Sequence, residues 1–297
     1  MKVVIWGHKL HSHTHSYVHY GFYRAFKHLG FNTYWFDNND NVAGVDFTDA
    51  LFITERQVDQ KIPLVSTAYY VVHDLTNIYD LSQYDSIRHR ILTWGRLYHP
   101  LTDWVGLSYE KVEPYVYYNN EAHKLCFPYA TDLLPDEIDC IYCPSTEPII
   151  NMIGSYGFQT AEYQPFIEEC KNNGIQWHQT GLYLDGKGVV TDHNLQLIRQ
   201  SIIAPAIQVQ WQINYGHIPC RIFKNISYGK FGITNSPTVN ELFEGNIVFN
   251  QDCRQLFYDA MDYYHNPNIK QIEDTMRLVR DRHTYINRIQ VILRYLK

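Results

Sequence analysis

The sequence predicts an α/β protein of two domains, and three observations carry that expectation. Lys2–Trp6 is an apolar strand that runs through a loop into a helical pattern and then into a second strand, all before Asp37. The same strand–loop–helix opening recurs at Ile149–Ile153, followed by Gly154-Ser155. Between the two lies Leu133–Pro148, rich in proline and acids and without helical or strand periodicity, which reads as a hinge. The chain has 297 residues, which suits two domains of about 150 residues each. The expected boundary falls between residues 140 and 141.

Taken in order, Lys2–Trp6 is closed by Gly7, and the histidine-rich loop HKLHSHTHS leads into a helix from about Tyr17 to Leu29. Val18, Phe22, Ala25, Phe26 and Leu29 keep helical spacing there, and Gly30 stops the helix. Phe31–Phe36 is the second strand, ended by Asp37. Strand, helix, strand at this spacing opens a parallel sheet. Further strands are expected at Ala50–Ile53, Pro63–Val72, Ile91–Thr93 and Lys124–Phe127, whereas Tyr98–Asn120 matches no pattern.

In the second half, Tyr163–Asn172 and His193–Gln200 read as helices, and Ile175–His178 and Ser201–Gln210 as strands. Thr238-x-x-Glu241 fits a capping box for a short helix opened by Pro237. Helices from about Cys253 to Tyr264 and from Ile269 to Leu296 finish the chain. The arginines of the last one, from Arg277 to Arg294, read as a solvated face.

Composition narrows the function classes. Hydrophobic content of 45% with 19% charged residues is that of a globular protein. A net charge of −6 argues against a nucleic-acid partner that needs a broad basic surface. Six cysteines in a chain this long are no disulfide scaffold, and Cys140-x-x-Cys143 has neither a second such pair nor a nearby histidine pair for zinc. Reduced thiols imply a cytoplasmic protein. The opening residues are too short for a secretory apolar core, and no apolar run reaches membrane-spanning length. NAD binding is disfavoured, because only Gly7 of the glycine fingerprint is present, although Asp37 stands where a ribose-binding acid would lie.

His11-x-His13-x-His15 is the sharpest local feature of the first half. Three readings stand side by side: a metal site, a catalytic or acceptor-binding loop, and capping or surface histidines. Position favours the second, since ligands of open α/β sheets bind beyond the carboxyl ends of strands. His73-Asp74 follows another expected strand and falls at the same edge, and Asp132 follows a third.

In the second half, Arg221–Asn235 organises the rest. At about 100° per residue, Ile222, Phe223 and Ile226 fall on one side of a helix, and Arg221, Lys224, Asn225 and Tyr228 on the other. Gly229 suits the left-handed position that ends a helix. A helix start with two cations beside it suits a diphosphate, while periodicity alone equally allows an ordinary solvated face.

Arg221-Ile222-Phe223-Lys224, Tyr228-Gly229-Lys230-Phe231 and Ile233-Thr234-Asn235, followed by Val239–Phe243 (V-N-E-L-F) and Asn246–Phe249 (N-I-V-F), resemble the C-terminal half of group-1 glycosyltransferases of GT-B architecture. The match spans Ser201–Arg294. It departs at Lys224, where that family usually carries a carboxylate that meets the donor sugar or ribose, which leaves the stereochemical course open.

The resemblance implies two Rossmann-like domains facing a cleft, the first for acceptor and the second for a nucleotide-sugar donor, with the last helix long enough to return to the first domain. It implies sugar transfer from a nucleoside diphosphate to a glycan or other hydroxyl acceptor, without a metal or other cofactor. In that scheme Gly154, Ser155, His178, Arg221, Lys224, Asn225 and Tyr228 bind the donor, and Arg221 is the bidentate diphosphate ligand. If the reaction inverts, His15 or His13 is the base, with Asp37 and Asp74 behind them, and His11, His73 and Asp74 meet the acceptor. Two rivals remain: a metal-dependent hydrolase using His11, His13 and His15, and a non-catalytic nucleotide-sugar-binding protein.

Overall fold

The computed structural model describes residues 1–7, 9, 14–73, 82–95, 108–154, 161–180 and 191–296. The chain divides into two compact units, Met1–Pro128 with Tyr285–Lys297, and Tyr129–Thr284. The division therefore falls at Pro128 rather than at 140/141. The hinge expected from the proline-rich run belongs to the second unit.

The first unit is built on one eight-stranded sheet. Its strands are β1 (Lys2–Trp6), β2 (Asn32–Phe36), β3 (Leu51–Glu55), β4 (Tyr69–His73), β5 (Ile91–Gly95), β6 (Glu110–Glu113), β7 (Val116–Asn119) and β8 (Lys124–Cys126). The order is β2-β1-β3-β4-β5-β8-β7-β6. Neighbours from β2 to β8 run parallel, and β8, β7 and β6 form an antiparallel edge. β3 and β5 are buried along their whole length and β4 nearly so, as parallel strands covered on both faces require. Val4, Trp6, Phe52, Tyr70 and Val72 turn to one face and pack with Phe47, Tyr84 and Ile87. Phe52 and Tyr70 stack at 4.9 Å.

Helix α1 (Thr14–His28) buries Val18, Phe22, Ala25 and Phe26, the residues that periodicity singles out, while Leu29 lies just past its end and exposed. Because β2 and β3 flank β1 on opposite sides, the strand order reverses there, and the carboxyl ends of β1 and β3 border the switch point. Residues 110–119, which match no pattern in the sequence, are the β6–β7 hairpin: its short strands alternate charge and aromatic residues too weakly to register. The strand expected over Pro63–Val72 is confined to Tyr69–His73. Val65 and Pro63 instead turn against the Tyr70 hydroxyl, at 2.8 and 2.7 Å.

The second unit holds parallel β9 (Ile149–Ile153) and β10 (Gln176–Thr180), and parallel β11 (Ile233–Thr234) and β12 (Val248–Phe249). Residues 201–209 run between the pairs without forming the expected strand. Ile202 N donates to Ile149 O, and Ala206 makes one bridge to Thr234. The helices are α2 (Tyr163–Asn172), α3 (Thr191–Gln200), α4 (Gln210–Asn214), α5 (Cys220–Ser227), α6 (Pro237–Leu242), α7 (Cys253–His265) and α8 (Ile269–Arg282). α6 is capped by Ser236, whose hydroxyl accepts from Val239 N, rather than by Thr238. The single last helix expected over Ile269–Leu296 is two. α8 ends at Arg282, with His283 as its cap, and α9 (Tyr285–Tyr295) belongs to the first unit, where the Tyr285 ring lies 4.7 Å from Phe22. Arg288 of α9 is buried, not solvated, and its Nε donates to Pro128 O at 2.9 Å.

Candidate functional site

Each unit gathers polar side chains at the carboxyl ends of its parallel strands. In the first unit, Thr54 Oγ1 donates to Trp6 O at 3.0 Å and ties the end of β3 to that of β1. Glu55 is the last residue of β3, His73 the last of β4, and His15 lies in the first turn of α1. His15 Nδ1 is 2.6 Å from Glu55 Oε2, and His73 Nδ1 is 4.0 Å from the same oxygen. The two imidazoles meet edge to face at 5.0 Å, and His73 lies flat on Trp94 at 3.8 Å. His15, Glu55 and His73 are 3%, 1% and 2% exposed.

Two imidazoles and a carboxylate are a donor set that suits a divalent transition metal, and their ligand atoms lie within 4.8 Å of one another. Ligand atoms around a tetrahedral zinc stand roughly 3.3 Å apart. The 2.6 Å separation of His15 Nδ1 and Glu55 Oε2 is shorter than that, so the two stand in direct ion-pair contact.

Of the other histidine-loop and edge residues expected at this site, His11, His13 and Asp74 lie outside the described residues. Asp37 stands apart from the cluster in its own turn, where Oδ1 accepts from Asn39 N at 2.8 Å. Glu55 escapes the sequence reading. The signal that marks His73, a polar residue closing a buried strand, marks Glu55 equally, but a strand ended at Ile53 leaves it in a loop.

In the second unit, Gly154 follows β9 with φ +117°, a conformation reserved for glycine. Its N–H donates to Thr180 O at 2.9 Å, and its carbonyl accepts from Gln179 Nε2 at the same distance. Arg221, in the first turn of α5, reaches this strand end. Its Nε donates to Ile153 O at 3.3 Å, and its Nη1 to the Tyr163 hydroxyl at 3.1 Å and to Ile207 O at 3.4 Å. A β-carbon on Gly154 would stand 3.0 Å from Arg221 Nη2. Pro219 precedes the helix with extended backbone, and no side chain caps it. The first-turn N–H groups and the guanidinium thus add positive potential to one place.

The rest of that helix face is more closed than its periodicity suggests. Lys224 Nζ is 4.0 Å from the buried Asp132 carboxylate, which also accepts from the Tyr228 hydroxyl at 2.7 Å. Asn225 is buried and donates to Ala204 O at 2.8 Å, so it and Tyr228 serve packing and bonding within the unit. His178 is exposed on β10, with Nε2 3.2 Å from Gln176 Oε1. Ser155 lies outside the described residues. Beyond Gly229, Lys230 is 1% exposed and donates to Cys143 O at 2.7 Å. Burial pushes its ammonium down to about 8, with Arg199 adding to the effect and Cys143 opposing it.

The fold is the GT-B type of α/β architecture. An alpha-glucosyltransferase solved in complex with UDP and a 13-mer DNA containing an HMU base shares it with a TM-score of 0.60 at 8% identity, over 99% of each chain. T4 phage BGT in complex with UDP-glucose matches with a TM-score of 0.49 at 10% identity over the whole of both chains. The trehalose-6-phosphate synthase OtsA matches with 0.43 at 9% identity, over 77% of this chain and 72% of its own. No known protein family and no curated protein matches the sequence. Among the described residues, no helix is long and apolar enough to cross a membrane.

Proposed function

We propose that the protein is a glycosyltransferase that moves a sugar from a nucleoside-diphosphate donor to an acceptor hydroxyl without a metal ion. One observation carries the reading: the Arg221 guanidinium lies against Gly154 at the carboxyl end of β9, in the first turn of an uncapped helix. Transfer from a nucleoside diphosphate builds negative charge on the departing diphosphate. Preorganised cations and N–H dipoles stabilise that charge where it develops. Arg221, held through Nε and Nη1 by Ile153 O, Tyr163 and Ile207 O, brings a fixed charge and its Nη2 to the diphosphate, and Lys224 adds a point charge. The fold supports the same reading, because the alpha-glucosyltransferase that shares it was solved with UDP bound.

The donor is thus assigned to the second unit and the acceptor to the histidine edge of the first. A glycan or other small hydroxyl acceptor suits the net charge of −6 better than nucleic acid does. The DNA in the alpha-glucosyltransferase complex makes DNA containing an HMU base the necessary comparison. Cysteine usage supports residence in the cytoplasm.

Calorimetry against a panel of nucleoside diphosphates, followed by transfer assays with the sugars of the one that binds, tests the reading. Saturable binding and transfer that withstands chelator are expected. Binding of no nucleoside diphosphate would overturn it, and transfer abolished by chelator would overturn its metal independence.

A further inference from the structure

Arg221 serves a diphosphate only if its guanidinium stays where Gly154 leaves room for a ligand. We propose that Tyr163 is the positioning residue of Arg221, and that the orientation it fixes makes the site prefer a diphosphate to a single phosphate group. This rests on the donor assignment above.

Tyr163 is the first residue of α2 and is buried, its ring edge to face with Trp177 of β10 at 6.5 Å. Packing thus fixes where the hydroxyl sits. A phenol has one proton to give, and here it goes to Ile207 O at 2.6 Å. The oxygen lone pairs therefore accept, and Arg221 Nη1 donates to them at 3.1 Å. Tyr163 in this way ties Arg221 to the backbone of residues 201–209. Nη1 also donates to Ile207 O at 3.4 Å, and Nε to Ile153 O at 3.3 Å. All three acceptors are neutral, so they hold the guanidinium without cancelling its charge. Lys224 differs, standing 4.0 Å from the Asp132 carboxylate.

In a guanidinium Nε carries one N–H and each Nη carries two. The bonds to Ile153 O, Tyr163 and Ile207 O take those of Nε and Nη1, and the pair that remains is on Nη2. Nη2 is also the nitrogen beside Gly154, where a β-carbon would stand 3.0 Å away. Two N–H bonds on one nitrogen diverge, so their acceptors lie about 5 Å apart at ordinary hydrogen-bond lengths. The oxygens of one phosphoryl group are closer together than that, and suit the parallel N–H bonds of a free fork. Oxygens on the two phosphorus atoms of a diphosphate span the wider gap. Holding Nη1 back from the ligand converts a fork for one phosphate into a brace across two.

The test uses the whole chain, its Tyr163→Phe and Arg221→Ala variants and the double variant. Calorimetry measures Kd for uridine, guanosine, adenosine, cytidine and thymidine diphosphates, then for the nucleoside and monophosphate of the one that binds best. In Tyr163→Phe the diphosphate Kd should rise about threefold to tenfold. The nucleoside Kd should not change, and the preference for diphosphate over monophosphate should shrink. In the Arg221→Ala background Tyr163→Phe should move none of these values. Arginine side-chain NMR of the unliganded wild type is a second measurement, which stands even if Tyr163→Phe does not fold. It should show separate Nη1 and Nη2 signals for Arg221, held against rotation. A wild-type diphosphate Kd in folded Tyr163→Phe, an equal loss for the nucleoside, or a freely rotating wild-type guanidinium overturns the inference and leaves the donor assignment intact. Binding of no nucleoside diphosphate by the wild type overturns that assignment and the inference with it.

Discussion

A β-carbon placed on Gly154 would stand 3.0 Å from Nη2 of Arg221. The glycine and the cation, 67 positions apart in sequence by their numbers, therefore form one structure at the end of β9. Arg221→Ala is expected to weaken nucleoside-diphosphate binding by ~1.5–3 kcal/mol, the scale of a charge-assisted bond. Arg221→Lys should recover only part of it, since an ammonium cannot be held by Ile153 O, Tyr163 and Ile207 O while also facing the diphosphate. Lys224→Ala should cost less than Arg221→Ala, because Asp132 already balances part of that charge. Calorimetry checks all three, and an Arg221→Ala affinity equal to wild type removes the donor assignment.

Gly154→Ala should act on the same place from the other side. A side chain at φ +117° is strained by about 1–3 kcal/mol, and the new methyl crowds the guanidinium. Stability and donor affinity should fall together. In the Arg221→Ala background the affinity loss from Gly154→Ala should largely vanish, and additive losses in such a double-mutant cycle would separate the two residues.

Much of this edge is legible in the sequence, for physical reasons that also mark the limits. Lys2–Trp6 and the helix of Val18, Phe22, Ala25 and Phe26 declare themselves because burial imposes period 2 or 3.6 on long runs. Arg221 and His15 are found because they stand next to such runs. Asn225 and Tyr228 read as a polar helix face, but that face is covered, and their polar atoms are satisfied by Ala204 O and Asp132. Glu55 is invisible as a partner of His15, since the sheet order that makes β3 a neighbour of β1 leaves no mark in local spacing.

Lys230 gives a pH test. Its ammonium is held down to about 8 by burial, below the 10.5 of an ordinary lysine. The unfolded chain therefore binds more protons between those values, and stability rises with pH across that window. Below pH 8 the cost of the buried charge is felt in full, up to about 3 kcal/mol. Lys230→Met should remove this slope while losing about 1 kcal/mol at all pH values for the bond to Cys143 O. Urea unfolding of both proteins from pH 7 to 10.5 checks it, and parallel curves would refute the assignment.

Gly21→Ala probes the docking of α9. A β-carbon there would come 2.2 Å from the Tyr285 ring, which must move. A loss of about 1–3 kcal/mol is expected, as for other overpacked positions. Tyr285→Ala in the same chain should make the added methyl harmless. Thermal unfolding of the two single variants and the double variant reads this directly.

Thr131 and Thr284 are bridged side by side, with Thr131 N donating to His283 O at 3.0 Å, so the second unit begins and ends at one seam. It is an uninterrupted insertion, whereas the first unit is split and lacks α9 until residues 285–295 are made. During synthesis the later-encoded unit can be finished while the earlier one still waits for its closing helix, with the Phe22 ring and the Pro128 carbonyl left without Tyr285 and Arg288. Birth order and completion order are thus reversed in this chain, and a nascent protein stalled short of Tyr285 would carry a finished second unit beside an incomplete first.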